Sequence, residues 1–374
     1  MTNERDGSTT RAAREPVGPF RGALLRAEQA IDGWVERRRK RLGLARPLTV
    51  DAHAGHAHAN GVELFGRIVE QTAAWKPSAD DGRLANLRGV GSLFATHEEA
   101  FGEALIRNAD GEHRLTADEE GYLRASLPPL SAPPETRWDS FAAHAIDPRS
   151  GEPGPPSEMP ILRVGTSARF GVISDIDDTV MRTGAENLAR NLWTTFTGNP
   201  LTRHVYRHVP PLYQALAHHA GRRANPIFYL SSSPWNLYGL IHDVLTRNDV
   251  PWGPIFLRDF GLDEAKLIKG THGNHKLGHA RRLMEAYDGL PFLLIGDLGQ
   301  ADAEIYATLA RERPGSVMGM IVHQPSERHH REKRRHIAEV EGLGIPVLVT
   351  RDYAEAEAFA RGHGWIDAPG GEAA

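Results

Sequence analysis

Short apolar runs alternate with amphipathic segments through the second half of the chain, from about residue 161 to residue 363. The apolar runs, which include RFGVI and PFLLIG, have the length and composition of buried strands. The segments between them repeat apolar side chains every three or four residues, as helices do. One such repeat is formed by Leu237, Leu240, Ile241, Val244 and Leu245. The alternation predicts an α/β fold with a doubly wound, mostly parallel sheet that carries helices on both faces.

The first half of the chain consists of short segments separated by turn signals. VELFGRIVE and GYLRASLPPL are typical of strands, while ADGE at 109–112 and DEEG at 118–121 are typical of turns. Residues 47–147 are therefore predicted to form a small β-rich domain of the β-sandwich kind. Residues 148–160 are rich in Pro, Gly, Ser and Glu, which predicts a solvated linker to the α/β domain at 161–363.

The two ends of the chain and two basic runs carry little information on chemistry. Residues 1–46 are predicted to be a disordered start followed by a helix, and residues 364–374 to be a flexible tail. The basic run Glu36–Arg41 is interpreted as a solvated helix face rather than a surface for anionic lipid. The run Glu327–His336 mixes charges at helical spacing, which also favours a solvated helix over nucleic-acid or lipid binding.

Composition limits which kinds of partner and which cellular compartment can be expected. The chain of 374 residues has a net charge of −4, so no overall attraction to nucleic acid is expected. It contains no cysteine, which excludes disulfides and thiolate chemistry. No apolar run approaches the roughly 20 residues that a membrane-spanning helix needs. We therefore expect a cytoplasmic protein without a transmembrane segment.

Three carboxylates follow one predicted strand directly. Asp175, Asp177 and Asp178 come at the end of the apolar run in FGVISDIDDTV. Ionised carboxylates repel one another, and burial makes the repulsion stronger. Such a cluster at the end of a strand therefore indicates a binding or catalytic role, because the carboxyl ends of parallel strands are where ligands bind in open α/β sheets.

Other predicted elements bring chemistry to the same edge of the sheet. The strand IFYL leads into Ser231–Ser233, the strand FLLIG leads into Asp297, and Asp302 follows five residues later. Lys276 begins a helix between them. Together these segments would form a pocket with several carboxylates, a hydroxyl and an ammonium. A hard divalent cation with oxygen ligands relieves the repulsion, which predicts Mg²⁺.

The remaining carboxylates of such a pocket suit phosphoryl transfer. One carboxylate can attack phosphorus to form an aspartyl phosphate, and a second one two residues away can act as general acid and base. The SSSP segment predicts a helix start with Ser233 as N-cap and Pro234 at the first position, where backbone amides would bind a phosphate. Lys276 would neutralise charge on the phosphate and on the nucleophile.

Four ordered motifs carry a family resemblance. The order of DIDDT, a strand-ending Ser, a Lys and GDLGQAD resembles the four motifs of haloacid dehalogenase (HAD) superfamily phosphatases. More narrowly, DIDDTV, YLSSSPWNLY, GTHGNHK and IGDLGQADAEIY resemble the catalytic domain of the yeast actin-patch phosphatidate phosphatase and its bacterial relatives. The resemblance covers about residues 165–350 and implies a HAD-like Rossmannoid fold.

The resemblance implies a role for each catalytic position. Asp175 is the expected nucleophile and Asp177 the expected general acid and base. Ser231 is the expected phosphate-binding hydroxyl, with Ser232 as the alternative because three serines follow one another. Lys276 is expected to bind the substrate phosphate and to balance the negative charge.

It also implies a metal site. The expected Mg²⁺ ligands are Asp175, Asp177 through its backbone carbonyl, and Asp297. Asp302 is expected either to support the water shell of the metal or to orient the lysine. Thr179 is expected to stabilise the loop after the nucleophile and to contribute to substrate binding.

The function implied is Mg²⁺-dependent hydrolysis of a phosphomonoester, with phosphatidate at a membrane surface as the expected substrate. The products would be diacylglycerol and phosphate, and the protein would then bind the membrane peripherally. A soluble sugar or nucleotide phosphate is the alternative substrate. A binding or scaffold protein with a vestigial phosphatase fold is the alternative from another class.

Several suggestive side chains receive a structural interpretation instead. His53, His56 and His58 lie close in sequence, but without a fourth ligand they are interpreted as surface histidines rather than a metal site. Packing is also favoured over acyl-chain binding for three aromatic residues between the first two motifs: Trp193, Phe196 and Tyr206. His272 and His275, which precede the lysine, are expected to pack in the loop or to contact the groups that surround the site, rather than to act in catalysis. Asp178, where many HAD phosphatases have glycine, receives no role.

Overall fold

The computed structural model describes residues 47–70, 99–182, 205–258, 274–299, 301–324 and 331–367. From Leu48 onward the described residues belong to one compact unit. The predictions for residues 1–46, Trp193, Phe196, His272 and most of the C-terminal tail lie outside the described residues. Within the described ranges, no helix is both long and apolar enough to cross a bilayer.

Seven described strands form one largely antiparallel sheet in the order β4-β3-β6-β7-β1-β2-β5. They are β1 (Leu48–His58), β2 (Gly61–Glu70), β3 (Glu103–Asn108), β4 (Gly111–Thr116), β5 (Tyr122–Leu127), β6 (Arg137–Ile146) and β7 (Pro153–Arg163). The edge strands β4 and β5 contact each other, so the sheet curls into a near-barrel around side chains such as Leu64, Ile106 and Met159. The predicted sandwich of two sheets is therefore wrong, because one sheet buries its own apolar face by curling.

The predicted linker is also wrong for most of its length. β7 pairs with β6 along the strand and with β1 only at Ile161–Arg163. The proline-rich half of β7 lies between β6 and the start of β1, where the Thr49 and Ser157 hydroxyls are 3.1 Å apart, but its backbone ladder is the one with β6. Its composition resembles that of a linker because prolines, which lack an N–H, are tolerated where the ladder is formed on one side of the strand.

Six parallel strands form the second sheet, in the order β12-β11-β8-β13-β14-β15. They are β8 (Gly171–Asp175), β11 (Ile227–Pro234), β12 (Ile255–Arg258), β13 (Phe292–Asp297), β14 (Val317–His323) and β15 (Val347–Thr350). The short strands β9 (His218–His219) and β10 (Arg222–Arg223) form a separate pair. Because every neighbouring pair of the six is parallel, all of these strands end at the same edge.

Helices cover the parallel sheet. They are α1 (Val209–Ala217), α2 (Tyr238–Arg247), α3 (Asn274–Ala286), α4 (Asp302–Glu312), α5 (Arg331–Gly342) and α6 (Tyr353–Gly362). Successive strand residues such as Val172 and Ile173 belong to two different apolar clusters. Helices α1, α2 and α6 contribute to the first cluster, and α3, α4 and α5 to the second. The prediction of a mixed α/β fold with a parallel sheet is confirmed.

The histidines of β1 lie in the contact between the two sheets. The ring of His53 stacks on Trp235 and Tyr238 at centroid distances of 4.9 and 4.1 Å. The backbone N–H of Ala54 donates to the Tyr238 hydroxyl at 2.7 Å. His53 and His56 are only 1% and 3% exposed, so their interpretation as surface histidines is wrong. The sequence around these histidines does not reveal their burial, because the residues that cover them come from a distant part of the chain.

His56 makes the stability of the fold sensitive to pH. Burial, with a smaller contribution from His58, lowers the pKa of His56 to about 3, because the charged ring loses its water. Below the ordinary histidine pKa of about 6.5, His56 becomes protonated in the unfolded chain but stays neutral in the folded protein. The free energy of unfolding should therefore fall as pH drops below 6.5, by about 2 kcal/mol at pH 5 from this residue. Urea unfolding of wild type and His56→Phe at pH 8 and pH 5 checks this. Equal pH dependence of the two proteins would contradict it.

Candidate active site

The end of β8 holds Asp175 in a fully buried position between two donors. Lys276 Nζ lies 2.6 Å from Asp175 Oδ1, and the Thr179 hydroxyl donates to Asp175 Oδ2 at 2.8 Å. Lys276 comes from the first turn of α3, as predicted, and is itself 4% exposed. Both oxygens of the predicted nucleophile are thus held in fixed directions.

The serine segment at the end of β11 contacts the second aspartate. The Ser231 hydroxyl donates to Asp177 Oδ2 at 2.6 Å and accepts from the backbone N–H of Ser233 at 3.0 Å. Ser231 is fully buried, whereas Ser232 is half-buried. Of the two candidate hydroxyls, the one at Ser231 is therefore in contact with a predicted catalytic group.

The predicted helix start at Ser233 is wrong. β11 continues through Pro234, which has extended backbone angles and pairs with Arg258 of β12. A 3₁₀ turn at Trp235–Leu237 follows, and α2 begins at Tyr238. Neither start has a side-chain cap. The strand continues through Pro234 because the fixed φ of proline also suits an extended conformation. The Ser233 N–H donates to the Ser231 hydroxyl instead of facing a ligand.

The end of β13 and the start of α4 bring two more carboxylates to the site. Asp302 accepts from Lys276 Nζ at 2.9 Å with one oxygen and from the backbone N–H of Asp297 at 3.2 Å with the other. A Cβ on Gly296 would come within 2.8 Å of the Asp302 side chain, so glycine is needed for this close approach. Of the two roles expected for Asp302, the contact to the lysine supports orientation of the ammonium.

Carboxylate oxygens of Asp175, Asp297 and Asp302 all lie within 4.8 Å of one another. Burial and the charge of Asp302 raise the pKa of Asp297 to about 8. Burial and Asp302 also raise the pKa of Asp175 well above its ordinary value, although Lys276 opposes this. Burial lowers the pKa of Lys276, but the charges of Asp175 and Asp302 raise it above its ordinary value.

Lys276 contacts two of these buried carboxylates, Asp175 and Asp302, and the raised pKa values of Asp175 and Asp297 reflect the burial and repulsion that it does not offset. The donors are oxygens only, which is the set that a hard divalent cation prefers. The residues present fit such an ion, because it would remove the repulsion that raises the two carboxyl pKa values. The side chain of Asp177 lies outside this group of three. Its expected contact through the backbone carbonyl stays a prediction.

The backbone conformation at Asp178 explains why aspartate can occupy this position, for which the sequence suggested no role. Asp178 has a φ of 59°, the left-handed region that favours glycine and that aspartate and asparagine tolerate better than other residues. The loop turns here, since the Asp178 N–H donates to the Met181 carbonyl at 2.8 Å. The position requires a backbone conformation, which a glycine or an aspartate can supply.

Two residues at the site gave no signal in the sequence. The Tyr353 hydroxyl donates to the Thr179 carbonyl at 2.7 Å, and His323 Nδ1 lies 2.8 Å from the Asp178 carbonyl. Tyr206 packs on His323 with ring centroids 4.3 Å apart, which agrees with its interpretation as a packing residue. His275 Nε2 lies 3.2 Å from the Ser231 carbonyl. Side chains that bind backbone carbonyls follow no spacing rule, so no motif reveals them.

Comparison with known proteins connects the parallel sheet and its site to one family. Residues 170–324 match the family described as phosphatidate phosphatase APP1, catalytic domain. The chain is 29% identical over 153 residues to phosphatidate phosphatase APP1 of Saccharomyces cerevisiae, covering 41% of this chain and 25% of that protein. It is 27% identical over 168 residues to an uncharacterized protein of Schizosaccharomyces pombe, covering 44% of this chain and 26% of that protein. The chain thus spans about a quarter of the length of these relatives.

Solved structures add nothing to this match. A carbohydrate acetylesterase from Xanthomonas citri gives a TM-score of 0.30 at 10% identity, over 82% of this chain and 69% of that one. A glycosyl hydrolase family 2 member from Bacteroides cellulosilyticus gives a TM-score of 0.21 at 11% identity, over 86% and 40%. Scores this low support no conclusion. On the sequence match, residues 170–324, which contain the buried carboxylates and Lys276, form a segment that resembles the catalytic domain of phosphatidate phosphatase APP1.

Proposed function

We propose that this protein is a Mg²⁺-dependent phosphatase that hydrolyses phosphatidate to diacylglycerol and phosphate. The observation that carries the proposal is the fully buried Asp175, held between Lys276 and Thr179 in a segment similar to a phosphatidate phosphatase. A phosphate ester that reaches this carboxylate would meet an ammonium and a hydroxyl at the same place. The alternation of two apolar clusters across the parallel sheet supports a HAD-like, doubly wound fold for this part of the chain.

In the first step of the proposed reaction, an oxygen of Asp175 attacks phosphorus and forms a phosphorus–oxygen bond. The bond from phosphorus to the glycerol oxygen breaks, and Asp177 in its acid form gives its proton to that oxygen. The products are an aspartyl phosphate and diacylglycerol. Lys276 lies within contact of the attacking carboxylate and stabilises negative charge as the phosphoryl group transfers.

In the second step the aspartyl phosphate is hydrolysed. Asp177, now a carboxylate, takes a proton from a water molecule that attacks phosphorus, and the bond from phosphorus to the Asp175 oxygen breaks. Phosphate leaves and both aspartates return to their starting states. The Ser231 hydroxyl, 2.6 Å from Asp177, is near enough to hold a phosphoryl oxygen once it turns from that carboxylate.

Asp175, Asp297 and the backbone carbonyl of Asp177 would hold the Mg²⁺. When bound, the ion supplies charge neutralisation at the phosphoryl oxygens and keeps the carboxylates ionised. Asp302 holds Lys276 in place through their 2.9 Å contact. We propose that the protein acts at the surface of a membrane, where a phosphorylated lipid is presented.

A panel of phosphate esters tests the substrate. We expect phosphate release from phosphatidate in mixed micelles to exceed release from glucose 6-phosphate and nucleoside monophosphates by at least about tenfold in kcat/KM. A higher kcat/KM for the soluble esters than for phosphatidate would show that the substrate is a soluble phosphate ester and not a lipid. No release from any ester, with or without Mg²⁺, would overturn the enzymatic proposal and favour a scaffold with a vestigial phosphatase fold.

The two candidate serines should differ in their effect on turnover. Ser231→Ala removes a buried hydroxyl that contacts Asp177, so we expect kcat/KM to fall about 10- to 100-fold. Ser232→Ala is the matched control on the same strand, with an expected loss below about threefold. Steady-state kinetics of the two variants check the assignment. A larger loss for Ser232→Ala would exchange the roles of the two serines.

A further inference from the structure

Residues 176–181, here called the nucleophile loop, connect the predicted nucleophile to the next part of the chain. The loop folds tightly, because the backbone N–H groups of Thr179, Val180 and Met181 all face the Ile176 carbonyl at 2.9 to 3.4 Å. It carries Asp177, and its Thr179 hydroxyl is one of the two donors to Asp175. Small movements of this loop would therefore change the directions of both catalytic carboxylates.

Two consecutive carbonyls of the nucleophile loop are held by side chains from other elements. The Tyr353 hydroxyl donates to the Thr179 carbonyl at 2.7 Å across 174 positions of sequence. His323 Nδ1 meets the Asp178 carbonyl at 2.8 Å across 145 positions. Since a carbonyl can only accept, Nδ1 carries the hydrogen. The two groups fix the peptides on either side of the Thr179 Cα, and so the direction in which its hydroxyl points.

Both side chains are held firmly in turn. Tyr353 and His323 are each 2% exposed, and their rings stack with centroids 5.0 Å apart. Tyr353 is the first residue of α6, whose start is capped by the Asp352 carboxylate accepting from the Ala354 N–H at 2.9 Å. Tyr206 lies against the His323 ring, and its own N–H donates to the Val180 carbonyl at 3.1 Å.

We propose that Tyr353 and His323 are positioning residues for phosphoryl transfer, which hold the nucleophile loop so that Thr179 fixes the attacking carboxylate. The inference rests on the proposed function for its kinetic consequence, although the contact itself does not. It extends the active site beyond residues 170–324, because Tyr353 lies outside the segment that matches the phosphatidate phosphatase family. The last helix of the described chain is then part of the catalytic apparatus.

Tyr353→Phe tests the proposal by removing one oxygen while keeping the ring. We expect kcat to fall about tenfold with KM within twofold, because the Thr179 carbonyl loses its partner while the phosphate-binding groups remain. In a Thr179→Val background the same change should have less than a twofold effect, since both act through one hydroxyl. His323→Leu should lower kcat similarly, and His323→Asn, which keeps a donor near the Nδ1 position, should recover most of it.

Tyr229→Phe is the matched control, because its fully buried hydroxyl also donates to a carbonyl at 2.7 Å, that of Pro251. It should lower the melting temperature about as much as Tyr353→Phe and leave kcat unchanged. Amide hydrogen exchange gives a readout that needs no activity. Exchange in peptides covering residues 175–181 should become faster in Tyr353→Phe and stay unchanged in Tyr229→Phe.

The outcomes separate this inference from the proposed function. A wild type that hydrolyses no phosphate ester would overturn the proposed function, and hydrogen exchange alone would then decide whether the loop is held. An active wild type with unchanged kcat in Tyr353→Phe would overturn the positioning role, whatever the exchange shows. A lower kcat with unchanged exchange in residues 175–181 would overturn the stated cause.

Discussion

Asp175→Asn is expected to abolish phosphate release, lowering kcat at least about a thousandfold, with the fold retained. The amide has nearly the same shape as the carboxylate, but it cannot attack phosphorus as an anion. Its oxygen can still accept from the Thr179 hydroxyl, and the substitution removes one of three clustered negative charges. The melting temperature should therefore not fall, and steady-state kinetics with thermal unfolding check both expectations.

Asp178→Asn is the matched control for this experiment. It makes the same chemical change three residues later, at a left-handed position with a φ of 59° that asparagine also tolerates. We expect activity within about threefold of wild type, because no step of the mechanism uses this side chain. A loss at Asp178→Asn as large as that at Asp175→Asn would show that the nucleophile has been assigned to the wrong carboxylate.

Removing the proposed metal, or its proposed ligand Asp297, should have the second-largest effect. We expect EDTA to abolish phosphate release and millimolar Mg²⁺ to restore it. We also expect Mg²⁺ to raise the melting temperature of wild type, since an ion that binds only the folded state stabilises it. Asp297→Asn should lower activity at least about a hundredfold and remove the thermal response to Mg²⁺.

In the absence of metal, Asp297→Asn should be more stable than wild type, because it removes a carboxyl group whose pKa is raised by burial and by the charge of Asp302. Its Asn oxygen can keep the 2.6 Å contact with the Gly299 N–H. Asp139→Asn, which breaks an ion pair with Arg163 on the other sheet, is the control. It should keep the Mg²⁺ response. An equal Mg²⁺ shift in Asp297→Asn and wild type would contradict the metal site.

The parallel sheet and the convergence of its strand ends could be predicted because the relevant signals are local. Each of the two central strands is a short apolar run that ends on a carboxylate, β8 on Asp175 and β13 on Asp297. Parallel pairing then brings these residues to one edge without further information. The structure adds the contacts, such as Lys276 shared between two carboxylates.

The β-rich part was predicted less well because its form depends on contacts that are distant in sequence. The curling of one sheet, with β4 against β5, leaves no local pattern. The prolines of β7 suggest a linker as strongly as a strand with an incomplete ladder on one side. His53 and His56 are buried by aromatic residues that lie about 180 to 230 positions away, among them Tyr238 and Tyr287. Hydrogen bonds from Tyr353 and His323 to backbone carbonyls are hidden from sequence for the same reason.

Trapping a phosphoenzyme is the sharpest test of our proposal that the converging strand ends let Asp175 attack phosphorus. Wild type and Asp177→Asn, which slows both steps, would each be mixed with ³²P-labelled phosphatidate and Mg²⁺, quenched in acid during turnover and digested. We expect a hydroxylamine-sensitive label on the peptide that contains Asp175, and no label when Asp175→Asn is added to the same protein. Phosphate release from wild type without any such label, or a label that persists in the double variant, would contradict it.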